Sequence, residues 1–124
     1  MVPRPFDDVV LEVREALTEQ GFGVLTEIDL AWTFKAKLDV DVPPQVILGA
    51  CRPQLAYQAV TSEPSVATML PCNVVVRQVD ESTTAVEAFD PQAMVALGGA
   101  AVEDVARDAG QRLTAVLETL TRKR

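Results

Sequence analysis

Histidine is absent from the 124 residues. That alone excludes a Ser-His-Asp triad, a Cys-His nucleophile pair, an imidazole-ligated zinc and a histidine-held haem. Aromatic side chains are scarce too, at 5% of the chain, with one tryptophan and one tyrosine. Basic charge is in deficit: 11 Lys and Arg stand against 18 Asp and Glu, for a net charge of -7. A protein that grips nucleic acid needs a basic stripe to displace counterions from the phosphates. The single basic cluster is Arg122-Lys123-Arg124, and it reads as a solvated end that complements a helix dipole. Nucleic acid is therefore not an expected partner.

Long apolar runs are missing as well. None approaches the roughly 18–20 residues that cross a bilayer, so no membrane partner is expected. The opening Met1-Val2-Pro3-Arg4-Pro5 has no apolar stretch before Asp7 and Asp8, unlike a secretory signal. A cytoplasmic location is the expectation, and there two cysteines read as thiols rather than a structural disulfide. Gly21-x-Gly23 precedes a strand rather than a helix, which does not fit a phosphate-binding loop. Repeats, linkers and low-complexity tracts are also lacking, and residues 1–124 read as one domain.

What is present is an ordinary globular pattern with 48% hydrophobic residues. Phe6, Val9, Val10, Val13 and Leu17 make one helical face over residues 6–20, with Gly21 placed to end it. Residues 22–29 alternate as a strand, with Phe22, Val24, Thr26 and Ile28 on one face and Leu25, Glu27 and Asp29 on the other. Leu30 to Leu38 forms a short helix. Gln45 to Ala50 is an apolar strand with Cys51 at its end, and Arg52-Pro53 opens a helix to about Glu63. Ser65 to Leu70 is a short helical turn. Val74 to Val79 is a strand, Asp80 to Thr83 a polar turn and Thr84 to Phe89 the returning strand. Pro91 to Leu97 is a short helix, and Ala101 to Thr121 is a long one whose face runs from Val102 to Leu120. Gly110 interrupts that pattern, and a close helix-to-sheet approach is the expected reason. The fold class is α+β: a small, mainly antiparallel β-sheet with helices packed on one face.

Four segments carry a family resemblance: Gly21-Phe-Gly-Val-Leu-Thr-Glu-Ile-Asp29, Ile47-Leu-Gly-Ala-Cys-Arg-Pro53 with Ala56-Tyr57, Met69-Leu-Pro-Cys-Asn-Val-Val-Val76, and Asp90-Pro-Gln-Ala-Met94. In this order and spacing the chain resembles the prokaryotic domain-of-unknown-function family 302. The resemblance implies a β-α-β4-α sandwich of TATA-box-binding-protein-like architecture and a homodimer. Members begin with a strand before the first helix, for which only Met1 to Arg4 remain here. The resemblance carries over no assigned activity, and the cofactor is left unknown.

Candidate chemistry gathers at strand ends. Cys51 and Cys72 each lie at a strand boundary beside a proline. If their strands are neighbours, the two sulfurs can meet as a redox pair or as soft ligands for copper or zinc; otherwise they are small core hydrophobes. Arg52 can lower a thiol pKa, though adjacent side chains often diverge. Glu27 and Asp29 place two carboxylates on one strand face, and Asp90 can join them; such acids suit proton transfer or a cation, or serve as helix caps. Tyr57 and Asn73 are the remaining candidate ligand-binding groups. Trp32, Phe34, Met69 and Met94 suit an apolar pocket or a partner surface. Three functions remain open: a binding module for a small ligand near the two cysteine motifs, a thiol-dependent redox or sulfur-handling enzyme (or soft-metal protein) using Cys51 and Cys72, and a structural partner-binding domain.

Overall fold

The computed structural model describes residues 1–122; the basic residues Lys123 and Arg124 lie outside them. Helix α1, Phe6–Glu19, has Asp7 and Asp8 in its first turn, where they favour the dipole, and buries Val9, Val13, Ala16 and Leu17. It ends in a Schellman arrangement: Phe22 N donates to Leu17 O at 2.9 Å, Gly21 N donates to Thr18 O at 3.0 Å, and Gly21 takes φ of 84°. Strand β1, Gly23–Asp29, leads into helix α2, Leu30–Leu38. Asp29 caps α2 through an Oδ1 that accepts from Trp32 N at 2.9 Å, as a short acidic side chain before a helix is expected to do.

Strand β2, Gln45–Cys51, helix α3, Pro53–Ser62, a 3-10 turn over Pro64–Met69 and strand β3, Cys72–Asp80, follow in order. Strand β4, Thr83–Ala88, returns along β3. A second 3-10 turn over Pro91–Met94, the short helix α4, Val95–Gly98, a third turn over Gly99–Val102 and helix α5, Glu103–Arg122, close the chain. The sheet has the order β1-β2-β3-β4 with every pairing antiparallel, which is the expected α+β class.

The strand ahead of α1 is reduced to one bridge. Val2 N donates to Thr84 O at 2.7 Å and Thr84 N returns a bond to Val2 O at 2.9 Å. Thr84 is fully buried there, and its Oγ1 donates to Arg4 O at 2.9 Å. Arg4 in turn reaches the Glu12 carboxylate at 2.8 Å and Leu120 O at 2.7 Å, fastening the start of the chain to both α1 and α5.

One strand face differs from simple alternation. The β1–β2 register slips between Val24 and Thr26, leaving Leu25 as a bulge. Glu27 and Asp29 stay on the same face as each other, but they share it with Val24. Thr26 and Ile28 move to the opposite face, opposite Gly49 and Ile47. Two-residue periodicity cannot foresee this, because one inserted residue inverts every later side chain.

Two apolar clusters form the interior. One joins Val9, Val13 and Leu17 of α1 to Leu48, Val74 and Val76 of the sheet and to Leu113, Val116 and Leu120 of α5. The other joins Ala59, Val66, Met94, Val102, Val105 and Ala106. Gly110 departs from expectation: a Cβ there would meet nothing within 4 Å, so no close approach of helix and sheet accounts for it.

Candidate functional site

The antiparallel register gathers the chain's distinctive residues at one end of the sheet. Ala50 pairs with Cys72, Gly23 pairs with Cys51, and Phe89 N bonds to Asn73 O at 2.9 Å. Cys51, Cys72, Asn73 and Asp90 therefore lie at the same sheet end. Glu27 and Asp29 pair nearer the other end, with Leu48 and Val46, so the carboxylates do not join the cysteines.

Both cysteines line one apolar slot of about 20 Å³ with Phe22, Ala50, Arg52, Leu55 and Met94 among its walls. Residues of both apolar clusters contribute, so the slot marks the seam between them. Its volume holds roughly one water-sized occupant and no organic ligand. Both sulfurs are free thiols. Burial pushes the Cys51 thiol up. Burial pushes Cys72 up to about 11, and the neighbouring Cys51 charge adds to it. Desolvation disfavours the thiolate, and Arg52 does not reverse that. The Arg52 Nε is buried without a hydrogen-bond partner, a state that costs free energy for a polar atom shut away from water.

A larger recess opens beside the slot. Ala88 to Gln92 form one side; Arg107, Gly110, Gln111, Thr114 and Leu117 of α5 form the other, enclosing about 530 Å³. That is within the usual size of a small-molecule site. Phe89, Pro91, Leu113 and Leu117 supply apolar surface; Asp90, Gln92, Gln111 and Thr114 supply polar groups. Asp90 is oriented by Gln92 N, which donates to its Oδ1 at 3.0 Å. Arg107 is held by Asp104 at 2.9 Å and by Glu103 at 3.4 Å.

The remaining candidates sit elsewhere. Glu27 forms an ion pair with Arg14 of α1, and Asp29 serves as the α2 cap. Tyr57 is 76% exposed on α3 and lines neither recess. Asn73 is exposed and adjacent in sequence to Cys72, so strand alternation turns it to the other face. Among the described residues, no group of three or more Cys, Asp or Glu side chains converges in a way that suits a metal ion. Sequence reasoning missed the α5 side of the groove. Its signal was Arg107, Gly110, Gln111 and Thr114 at i, i+3, i+4 and i+7, a small-and-polar stripe beside the apolar one.

A family model described as "Domain of unknown function DUF302" matches residues 1–120. The chain belongs to this family. Its fold is also similar to the crystal structure of an uncharacterized conserved DUF302 protein from Bacillus stearothermophilus, with a TM-score of 0.84 and 30% identity over 94% of this chain and 91% of that one. No curated protein matches. No described helix of this DUF302 chain is long and apolar enough to cross a membrane.

Proposed function

We propose that this protein is a small binding module whose ligand site lies at the sheet end carrying Cys51, Cys72 and Asp90. The observation that carries this reading is the groove of about 530 Å³ between Asp90-Pro91-Gln92 and the Arg107–Leu117 stretch of α5. It is ligand-sized, with an apolar floor and a few polar groups, the usual composition of a small-molecule site. An organic molecule with a flat apolar body and a hydrogen-bonding head fits that lining. The test is a thermal-shift and NMR screen of small polar aromatics against the wild type and Gly110→Leu. The leucine side chain enters the groove from a position where a Cβ meets nothing. Binding should shift the amides of residues 88–92 and vanish in the variant. Hits that ignore Gly110→Leu would refute the groove.

Thiol chemistry is the second reading, supported by the two cysteine residues lining one slot. Their upward-shifted thiols are protonated at neutral pH, which weakens the case for a ready nucleophile. A cytoplasmic setting belongs to both readings, since it keeps the thiols reduced.

The module pairs with a second copy in this proposal. Strand β1 is a sheet edge, paired only with β2, and it exposes Leu25 and Ile28. Helix α2 buries none of its residues and exposes Trp32 and Leu38. An unpaired edge beside clustered exposed apolar side chains is the kind of surface that a partner covers.

A further inference from the structure

We propose that Arg52 and Arg112, which converge over Gly21 at the end of α1, bind a singly charged oxyanion, the carboxylate of a small organic acid. The site is separate from the groove beside Asp90 and goes beyond it.

Arg52 is an exception in this chain. Acidic side chains outnumber basic ones by 18 to 11, and every other described arginine has a carboxylate partner. Arg52 has no ion pair and no hydrogen bond among the described residues. Its Nε is shut away from water with no acceptor, a state that costs free energy and that an incoming anion relieves. The residue as a whole is half-buried, so a ligand reaches it without opening the core, and a small turn of the long side chain presents its Nε–Nη edge.

Gly21 brings a second guanidinium to the same place. The point that a Cβ on Gly21 would occupy lies 3.0 Å from Arg52 Nε and 3.9 Å from Arg112 Nη1. The two groups come from distant parts of the chain, the β2–α3 junction and α5, and meet where glycine leaves space. Arg112 is only partly committed: its Nη1 donates to Gln20 O at 3.0 Å and its Nε pairs with Asp108 at 2.5 Å. It also lines a recess of about 280 Å³ with Gln20, Asp108 and Gln111. That recess gives an approach from solvent, and its size suits a small acid rather than a drug-sized ligand.

The charge count selects the anion. Two guanidinium groups face one carboxylate, Asp108, which leaves one positive charge without a partner. The carbonyl end of α1, with Gln20 O at the site, adds partial negative charge. Together Asp108 and the helix end oppose a doubly charged phosphate or sulfate and admit a single charge. A planar carboxylate also matches the planar fork of a guanidinium, which can donate two parallel bonds to it.

The experiment is a titration of the full ¹⁵N-labelled chain with acetate at constant ionic strength, chloride making up the balance. The readouts are the backbone amides of residues 20–22 and the arginine Nε–H signals. Acetate should give saturable shifts centred on Gly21 and on Arg52 Nε–H. Arg52→Gln should weaken binding by about 10-fold or more, the equivalent of one lost charge-assisted hydrogen bond. Arg52→Lys, which keeps the charge but loses the fork, should fall between the two. Arg52 carries the test because its removal leaves no protein partner unsatisfied, whereas Arg112 also caps α1 through Gln20. Circular dichroism checks the fold of both variants, and Arg52→Lys keeps the test valid if Arg52→Gln unfolds. Phosphate, at a pH where it is doubly charged, should bind more weakly than acetate. Shifts that grow without saturating, shifts that both Arg52 variants leave unchanged, or phosphate binding tighter than acetate would overturn the proposal. A failure here leaves the groove screen unaffected, since that screen reads residues 88–92.

Discussion

Arg52 lies across Gly21. Its Nε stands 3.0 Å from the point that a Cβ on Gly21 would occupy, and Gly21 holds φ at +84°. One glycine thus ends α1 and makes room for the arginine that lines the cysteine slot. Gly21→Ala meets both a left-handed backbone and a displaced guanidinium. It should lower stability by about 1–2 kcal/mol, the usual cost of an L-residue in that conformation. Urea denaturation measures this, and an unshifted midpoint would refute the steric account.

Gly49 makes a tighter demand. A Cβ there would come within 2.1 Å of Thr26 Oγ1 and 2.7 Å of Pro71 Cγ. The proline ring is rigid and the strand is paired on both sides, so the sheet itself must shift. Gly49→Ala should destabilise by about 1–3 kcal/mol, the range for overpacking. Adding Thr26→Ala removes one of the two clashes, so the double variant should recover part of the loss and no more. Full recovery would place the whole clash on Thr26.

Gly110 should behave in the opposite way. It sits inside α5, and a Cβ would meet nothing within 4 Å. Gly110→Ala therefore gains helix propensity without crowding and should stabilise by about 0.5–1 kcal/mol. A rise in melting temperature is the readout. A fall would mean that the glycine answers a backbone need that the helix does not display.

Cys72 links the slot to pH. Its thiol is pushed up to about 11 in the folded chain from an ordinary 9.0. For an acid with a raised folded pKa, the native state favours the protonated form. The stabilisation is complete below the unfolded pKa and is lost as pH rises through the folded one. Stability should thus fall between about pH 9 and 11, by roughly 2–3 kcal/mol from this group. Cys51, also shifted up by burial, acts in the same direction. The measurement is the difference between wild type and Cys72→Ala, which isolates this group. Parallel curves for the two proteins would show that the thiol does not titrate with folding.

Periodicity made the element order legible because most elements bury one face at a regular spacing. Leu113, Val116 and Leu120 of α5, and Val74 and Val76 of β3, are buried as their 3–4 and 2-residue spacings require. The same logic failed at Leu25, where a bulge inverts Thr26 and Ile28. It also misjudged Gly110, since propensity alone cannot tell a tight contact from an open groove. Cys51 and Cys72 came to line one slot because Ala50 pairs with Cys72, a register that a single sequence leaves free. Tyr57 went the other way: its helix starts beside Cys51, but the slot is lined by Leu55, Ala56 and Ala59 of α3, leaving the ring in solvent. Arg52 was visible only as a neighbour of Cys51. Its place in the slot depends on the glycine that ends α1, a contact 31 residues away in sequence (Gly21 to Arg52).

The proposed pairing of two copies turns on Trp32, which is 67% exposed on the helix that also carries an equally exposed Leu38. An aromatic at the centre of an interface contributes about 2 kcal/mol or more, whereas one at the rim contributes little. Since it is the chain's one tryptophan, its emission reports directly on this surface. Concentrating the protein should move the emission to shorter wavelength as the ring leaves water, in step with a doubling of mass by sedimentation. Trp32→Asp should raise the dimer dissociation constant by about 30-fold or more, the equivalent of that energy. Leu38→Asp, which leaves the fluorophore in place, should hold the emission at its dilute-solution wavelength. A dimer that forms with Trp32 still in water would move the contact away from β1 and α2, and a chain that stays monomeric would remove it altogether.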